Sequence, residues 1–149
     1  MSDPSRSPAR RTGGCACGGV RFAIDGPVKQ IVTCHCTACR RQTGHFLAFT
    51  AAWKDQMRLE GEETLTWRTS SPGYRRGFCS RCGSMLFFDG ERDEKISIAA
   101  GALDDASGLE IQAHLFTADK GAYYEILDGA PQYAQGGDTV PMPPRDADG

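Results

Sequence analysis

Apolar and polar positions alternate with a period of two over residues 20–25 and again over 95–100, the pattern of half-buried strands. Residues 46–53 form a nearly continuous apolar and aromatic run, which predicts a buried strand. Shorter strands are expected over 30–34, 57–59, 64–68, 74–78 and 85–88, with further short candidates at 114–116 and 122–127. Between these runs lie turn and loop signals: Gly26-Pro27, Gly61, residues 70–73, the charged stretch 91–94 and the loop 101–108. Only residues 37–43 read as helical, a single short turn ended by Gly44. Roughly ten short strands with turns between them predict a mainly β, single-domain fold of short antiparallel strands.

Composition changes this picture at the two ends of the chain. Residues 1–12 are rich in Ser, Pro and Arg and are expected to form a disordered basic arm carrying Arg6, Arg10 and Arg11. The folded domain is expected over 13–133, and the Gly-, Pro- and Asp-rich stretch 134–149 reads as a flexible tail. The 149 residues carry 17 Lys and Arg against 19 Asp and Glu, a formal net charge of -2 that argues against a broad nucleic-acid surface. No run approaches the ~18 apolar residues needed to cross a bilayer. The first residues also lack the apolar stretch of a signal peptide, so a cytoplasmic protein with reduced thiols is expected. Seven cysteines is an odd number, which counts against a complete disulfide framework.

Those cysteines carry the chemistry. They fall into three groups: Cys15 and Cys17, Cys34, Cys36 and Cys39, and Cys79 and Cys82. The spacings C-x-C and C-x-x-C bring thiolates onto one side of a turn, the arrangement that binds metal. Inert buried thiols do not account for so regular a spacing. An iron–sulfur cluster suits it less well than zinc, and haem attachment is excluded because Arg40 and Gly83, not His, follow the C-x-x-C pairs. Gly18 follows Cys17 and Gly83 follows Cys82, and a glycine there lets backbone N–H groups turn toward sulfur. The spacing therefore assigns Cys15, Cys17, Cys79 and Cys82 to one closed structural zinc site, a staple between distant parts of the chain. Cys34, Cys36 and Cys39 remain, three ligands with a fourth position either open or closed by His35, His45 or His114. His35 stands between two of the ligands and is expected to face away from them, and the histidines are read as supporting groups rather than ligands. Three protein ligands and an exchangeable fourth form the pattern of a catalytic zinc. With three thiolates the ion carries net negative charge and suits the binding of an incoming thiol, ordinarily protonated with a pKa of ~8.5, as a thiolate nucleophile.

The segments Gly14-Cys15-Ala16-Cys17-Gly18-Gly19-Val20-Arg21-Phe22, Cys34-His35-Cys36-Thr37-Ala38-Cys39-Arg40 and Phe78-Cys79-Ser80-Arg81-Cys82-Gly83 resemble the glutathione-dependent formaldehyde-activating enzyme family, which includes centromere protein V. The stretch from His114-Leu115-Phe116 through Asp128-Gly129 also looks like its C-terminal part. The resemblance implies a β-tent-like fold with two zinc ions, one structural on Cys15, Cys17, Cys79 and Cys82, one catalytic on Cys34, Cys36 and Cys39. It implies a carbon–sulfur lyase that joins a small thiol such as glutathione to an aldehyde such as formaldehyde, or the reverse. Glutathione carries two carboxylates, so Arg40, Arg41, Arg75, Arg76 and Lys120 are candidate cations, with Trp53 and Phe46 as candidate pocket walls. His45, His114 or water is the candidate general acid. The rival reading is a non-enzymatic zinc scaffold for a protein or nucleic-acid partner, which the short basic arm supports only weakly. A homo-oligomer is compatible with either.

Overall fold

The computed structural model describes residues 9–137 and 140–147. Ten strands and one helix are present among them: β1 (Arg11–Gly14), β2 (Val20–Ile24), β3 (Ile31–Cys34), α1 (Thr37–Thr43), β4 (Leu47–Trp53), β5 (Met57–Glu62), β6 (Leu65–Ser71), β7 (Tyr74–Cys79), β8 (Met85–Gly90), β9 (Lys95–Ala99) and β10 (Ile111–Leu115). They build a three-stranded sheet in the order β1-β2-β5 and a seven-stranded sheet in the order β10-β3-β4-β9-β8-β7-β6. The fold is mainly β, as the alternation predicts. One pairing departs from the antiparallel expectation: β10 runs parallel to β3. Sequence periodicity does not report strand direction, because both kinds of pair show the same inward and outward alternation.

The period of two gives the large sheet two unlike faces. Phe87 of β8 lies opposite Ile98 of β9, and Ile96 lies opposite Ala52 of β4. These residues are buried and pack against Val20, Phe22 and Ile24 of the small sheet, with Phe22 and Phe87 meeting edge to face at 5.5 Å. The intervening positions face the other way. Arg76 lies opposite Phe88, Phe88 opposite Ser97, Phe49 opposite Ala99, and Cys34 is flanked by Leu47 and Leu115. All of these line one cavity. One face of the sheet thus makes the core, and the other makes the candidate site.

Helix α1 follows β3 directly. Cys36 caps its first turn, accepting the Cys39 N–H at 3.4 Å, and Gly44 ends it with a φ of 80°. It makes two turns rather than the expected one. Residues 122–127, a strand candidate by pattern, run irregularly and leave Tyr123 and Leu127 exposed, so their apolar residues do not signal a sheet position.

Both ends of the chain differ from a reading by composition. Strand β1 takes in Arg11 and Thr12, which lie within the stretch read as a basic arm; Arg11 donates to the carbonyls of Asp105 and Ser107, and Thr12 donates to Asp104 at 2.6 Å. The rest of that arm through residue 8 lies outside the described residues. The stretch expected to be a flexible tail lies along the body over its described residues. Tyr133 N–H donates to the His114 carbonyl and Phe116 N–H to the Gln135 carbonyl, so the chain covers the edge of β10. Val140 is buried with Val32, Ala113 and Leu115, Trp53 donates to the Pro143 carbonyl, and Arg145 pairs with Asp55. A few well-placed apolar and hydrogen-bonding residues hold a segment whose composition alone suggests none.

Candidate active site

The structure gathers the seven cysteines into two groups. The Sγ atoms of Cys15, Cys17, Cys79 and Cys82 all lie within 4.8 Å of one another, and so do those of Cys34, Cys36 and Cys39. Both groups can hold a metal ion. A tetrahedron of thiolates around zinc at ~2.3 Å has edges of about 3.8 Å. The Cys15–Cys17 and Cys17–Cys79 sulfur separations are 3.6 and 3.7 Å, so the four-cysteine group already has the size that ion requires.

Local backbone explains how the first group is built. Gly18 and Gly83 have φ values of 81° and 78°, a region that residues with a Cβ enter only at a cost. The turn at Gly18 points Val20 N–H at Cys15 Sγ at 3.2 Å, and from the turn between β5 and β6 the Thr64 hydroxyl reaches Cys79 Sγ at 3.0 Å. The Ser84 hydroxyl lies 3.2 Å from Cys82 Sγ, and with a backbone N–H of the same residue it holds the Cys82 thiol down at about 5. The Thr64 hydroxyl likewise lowers the Cys79 thiol. At Cys79 and Cys82 these donors favour the thiolate, the form a metal needs.

The second group sits where β3 runs into α1. The Cys39 thiol is held down at about 6 by its hydrogen bond with Cys34 and by Arg76, while Cys34 is raised by the same hydrogen bond and by burial. Arg76 comes from β7, on the far side of the sheet order. It is buried, places both terminal nitrogens 3.6 Å from Cys39 Sγ, donates to Gln42 Oε1 at 2.7 Å, and leaves its Nε without a hydrogen-bond partner. The three cysteines and Arg76 open onto a cavity of about 230 Å³ whose other walls include Leu47, Phe49, Met85, Phe88, Leu115 and Phe116. Phe116 has a φ of 56°, the one non-glycine residue among those described with a positive value. Such strain in a β-rich core is held only where the surroundings impose it, and it recurs at sites that bind ligands.

No histidine joins either cysteine group among the described residues. His35 is fully buried on the face of β3 opposite the sulfurs. It forms a chain with Tyr124, Thr33, His114 and Asp128: Tyr124 meets His35 Nδ1, Thr33 Oγ1 lies 3.0 Å from His35 Nε2 and also meets His114 Nδ1, and His114 Nε2 donates to Asp128 at 2.9 Å. One assignment of protons gives every donor an acceptor, with Tyr124 donating to His35, His35 to Thr33, Thr33 to His114 and His114 to Asp128. Burial, then the neighbouring His114, pushes the His35 ring down to about 4, so it stays neutral. This chain anchors the backbone between Cys34 and Cys36 from behind. His45 stacks with Tyr123 instead.

The chain matches the family described as "Glutathione-dependent formaldehyde-activating enzyme" over residues 10–119. It belongs to that family. A protein of Halomonas elongata named "Putative glutathione-dependent formaldehyde-activating enzyme" is 32% identical over 125 residues, covering 76% of this chain and 79% of the relative. A crystal structure of a Rhodobacter sphaeroides protein superposes with a TM-score of 0.54 at 22% identity, covering 81% of this chain and 98% of that one, which speaks for the fold alone.

Of the cations the family resemblance brings forward, only Arg76 lines the three-cysteine cavity. Arg75 points to the other face, where it pairs with Asp89 and lies over the Trp67 ring. Lys120 donates to the carbonyls of Gly121 and Tyr124. Neither expected aromatic wall is in place: Trp53 packs against the C-terminal segment, and Phe46 packs on His35 and His45. Of the actual walls, Phe49 and Phe88 are placed by the register of β4 and β8, and Phe116 by the turn after β10, none of which the sequence pattern reports.

Proposed function

We propose that this protein is a zinc-dependent carbon–sulfur lyase of its family, joining a small thiol to an aldehyde or running the reverse. Cys15, Cys17, Cys79 and Cys82 would hold a structural zinc ion, and Cys34, Cys36 and Cys39 a catalytic one. A zinc ion on three thiolates supplies one exchangeable position where a thiol loses its proton at neutral pH. The observation that carries the reading is a three-cysteine cluster, with no fourth protein ligand among the described residues, that opens directly onto a cavity.

The residues of the chain itself have definable roles. Arg76, wedged against Cys39 and lining the cavity, offsets the negative charge of the cysteine cluster and presents its guanidinium toward the aldehyde oxygen. As the thiolate sulfur bonds to the carbonyl carbon, the C=O π pair moves to oxygen. The oxygen then takes the proton the thiol gave up, through water, so atoms and charge balance as a hemithioacetal. Arg76 does not give up a proton; it stabilises the developing oxyanion. Gln42 fixes the guanidinium, and the Tyr124–His35–Thr33–His114–Asp128 chain fixes the backbone that carries the cysteines. Glutathione and formaldehyde are the reactants named for the family and for the Halomonas relative. The reduced thiols the reading requires suit a cytoplasmic setting.

The test is metal substitution. Cobalt-loaded protein titrated with glutathione should gain a sulfur-to-cobalt charge-transfer band, and two metal equivalents should be found per chain. A spectrum unmoved by any thiol would refute the enzyme reading and leave a zinc scaffold.

A further inference from the structure

We infer that the aldehyde this site accepts carries an apolar side chain of about six carbons or a phenyl ring, and that formaldehyde is its poorer partner; the inference rests on the thiol-addition reading above. The cavity measures about 230 Å³, and its boundary includes the three cysteines and Arg76. At ~30 Å³ for each water-sized group it holds roughly seven such groups. An ion and a thiol sulfur beside the cysteines take about two of those volumes, and the rest is many times what formaldehyde fills.

The walls decide what fills it. Apart from the cysteines, Arg76 and Ser97, every residue on the boundary is apolar, and Phe49, Phe88 and Phe116 are its aromatic members. The tripeptide body of glutathione is a poor occupant. Its two carboxylates and its amine would meet one guanidinium, already held by Gln42 and Cys39, and would otherwise be buried without partners, which is costly. Formaldehyde would leave most of the chamber empty and its walls uncontacted. An alkyl or aryl chain on the aldehyde carbon fits both constraints. With the carbonyl oxygen at the Arg76 guanidinium, the chain extends along Phe88, over which the guanidinium lies, and along Phe49 and Phe116, which pack beside the cysteines. Ser97 and Ala99 of β9 form the floor, and their small side chains are what leaves the depth.

The experiment uses the full-length, zinc-loaded protein with glutathione as thiol and formaldehyde, butanal, hexanal and benzaldehyde as partners. A single methylene in an apolar pocket is worth about tenfold or more in kcat/KM, so hexanal should exceed formaldehyde by at least that. Binding is read separately by calorimetry with the unreactive alcohols methanol and 1-hexanol, on the zinc-loaded protein. Hexanol should bind at least about tenfold more tightly than methanol. Ala99→Leu and Ser97→Val fill the floor from two positions, and each should lower the hexanal-to-formaldehyde ratio by about tenfold. Equal or better turnover of formaldehyde, with hexanol binding no tighter than methanol, overturns the inference while the cobalt–thiol band stands. Loss of that band in the wild-type protein overturns the thiol-addition reading itself, so the two failures are distinguishable.

Discussion

Replacing Cys82 and replacing Cys36 should damage the molecule in different ways. Cys82 belongs to the group that joins the turn after β1 to the β7–β8 hairpin, and within it Cys17 and Cys79 stand 62 positions apart. Treating the metal cluster as a cross-link, the loop-closure expression for that separation gives about 4 kcal/mol of stabilisation through the unfolded chain. Cys36 and Cys39 stand 3 positions apart, and the same expression gives about 2 kcal/mol or less for so short a loop. Domains of this size have a net stability of about 5–15 kcal/mol, so the larger loss threatens folding and the smaller one does not. Cys82→Ser should therefore lose one zinc equivalent together with about 4 kcal/mol in urea denaturation, or fail to fold at all. Cys36→Ser should also lose one equivalent but keep the wild-type circular dichroism, with only the small local cost and no thiol binding. The assay pairs elemental zinc analysis with urea unfolding followed at 222 nm. Equal destabilisation by the two substitutions would show that the clusters are not a distant staple and a local site.

Other outcomes follow from single contacts. Gly83→Ala meets nothing within 4 Å but must hold a φ of 78°, so it should cost about 1–2 kcal/mol in urea denaturation with its cysteines still metallated. Arg76→Gln should keep both zinc equivalents and lower kcat about 100-fold, with Arg76→Lys recovering only part of the loss because a lysine cannot bridge Cys39 and Gln42 as a guanidinium does. Thr33→Val breaks the chain between His35 and His114 in a fully buried place, and should cost about 1–3 kcal/mol in thermal or urea unfolding. The hydrogen bond from Arg21, joined by that from Thr12, holds Asp104 down at about 2, against 3.8 in the unfolded chain. A depressed carboxylate stabilises the fold above the unfolded value and loses that contribution as pH falls through the folded one. Asp104→Asn should therefore lower the urea midpoint at neutral pH and flatten its fall between pH 3.8 and 2 relative to wild type.

Much of this protein is legible in its one-dimensional pattern. Alternation at 20–25 and 95–100 marks β2 and β9, and the cysteine spacings with their following glycines foretell two sulfur clusters in the grouping the structure displays. Helix α1 is legible too, since the glycine at position 44 marks its end. These features are local: a strand's period, a turn's positive φ and a chelating pair each depend on residues within a few positions of one another.

What local chemistry does not specify is which face of a strand meets which partner several strands away. Arg75 and Arg76 are adjacent and alike in sequence, yet one lies over Trp67 in the open and the other is buried against Cys39, because neighbouring residues in β7 point to opposite sides. The same parity sends Phe87 into the core and Phe88 into the cavity. The contacts of residues 134–147 and the parallel pairing of β10 with β3 likewise depend on surfaces that exist only once the sheet has formed. The amino-acid order thus marks most of the elements and the grouping of the cysteines by itself. The tertiary structure decides the chamber beside the three cysteines, since most of its walls come from strands far apart in the chain and their register brings them to one side.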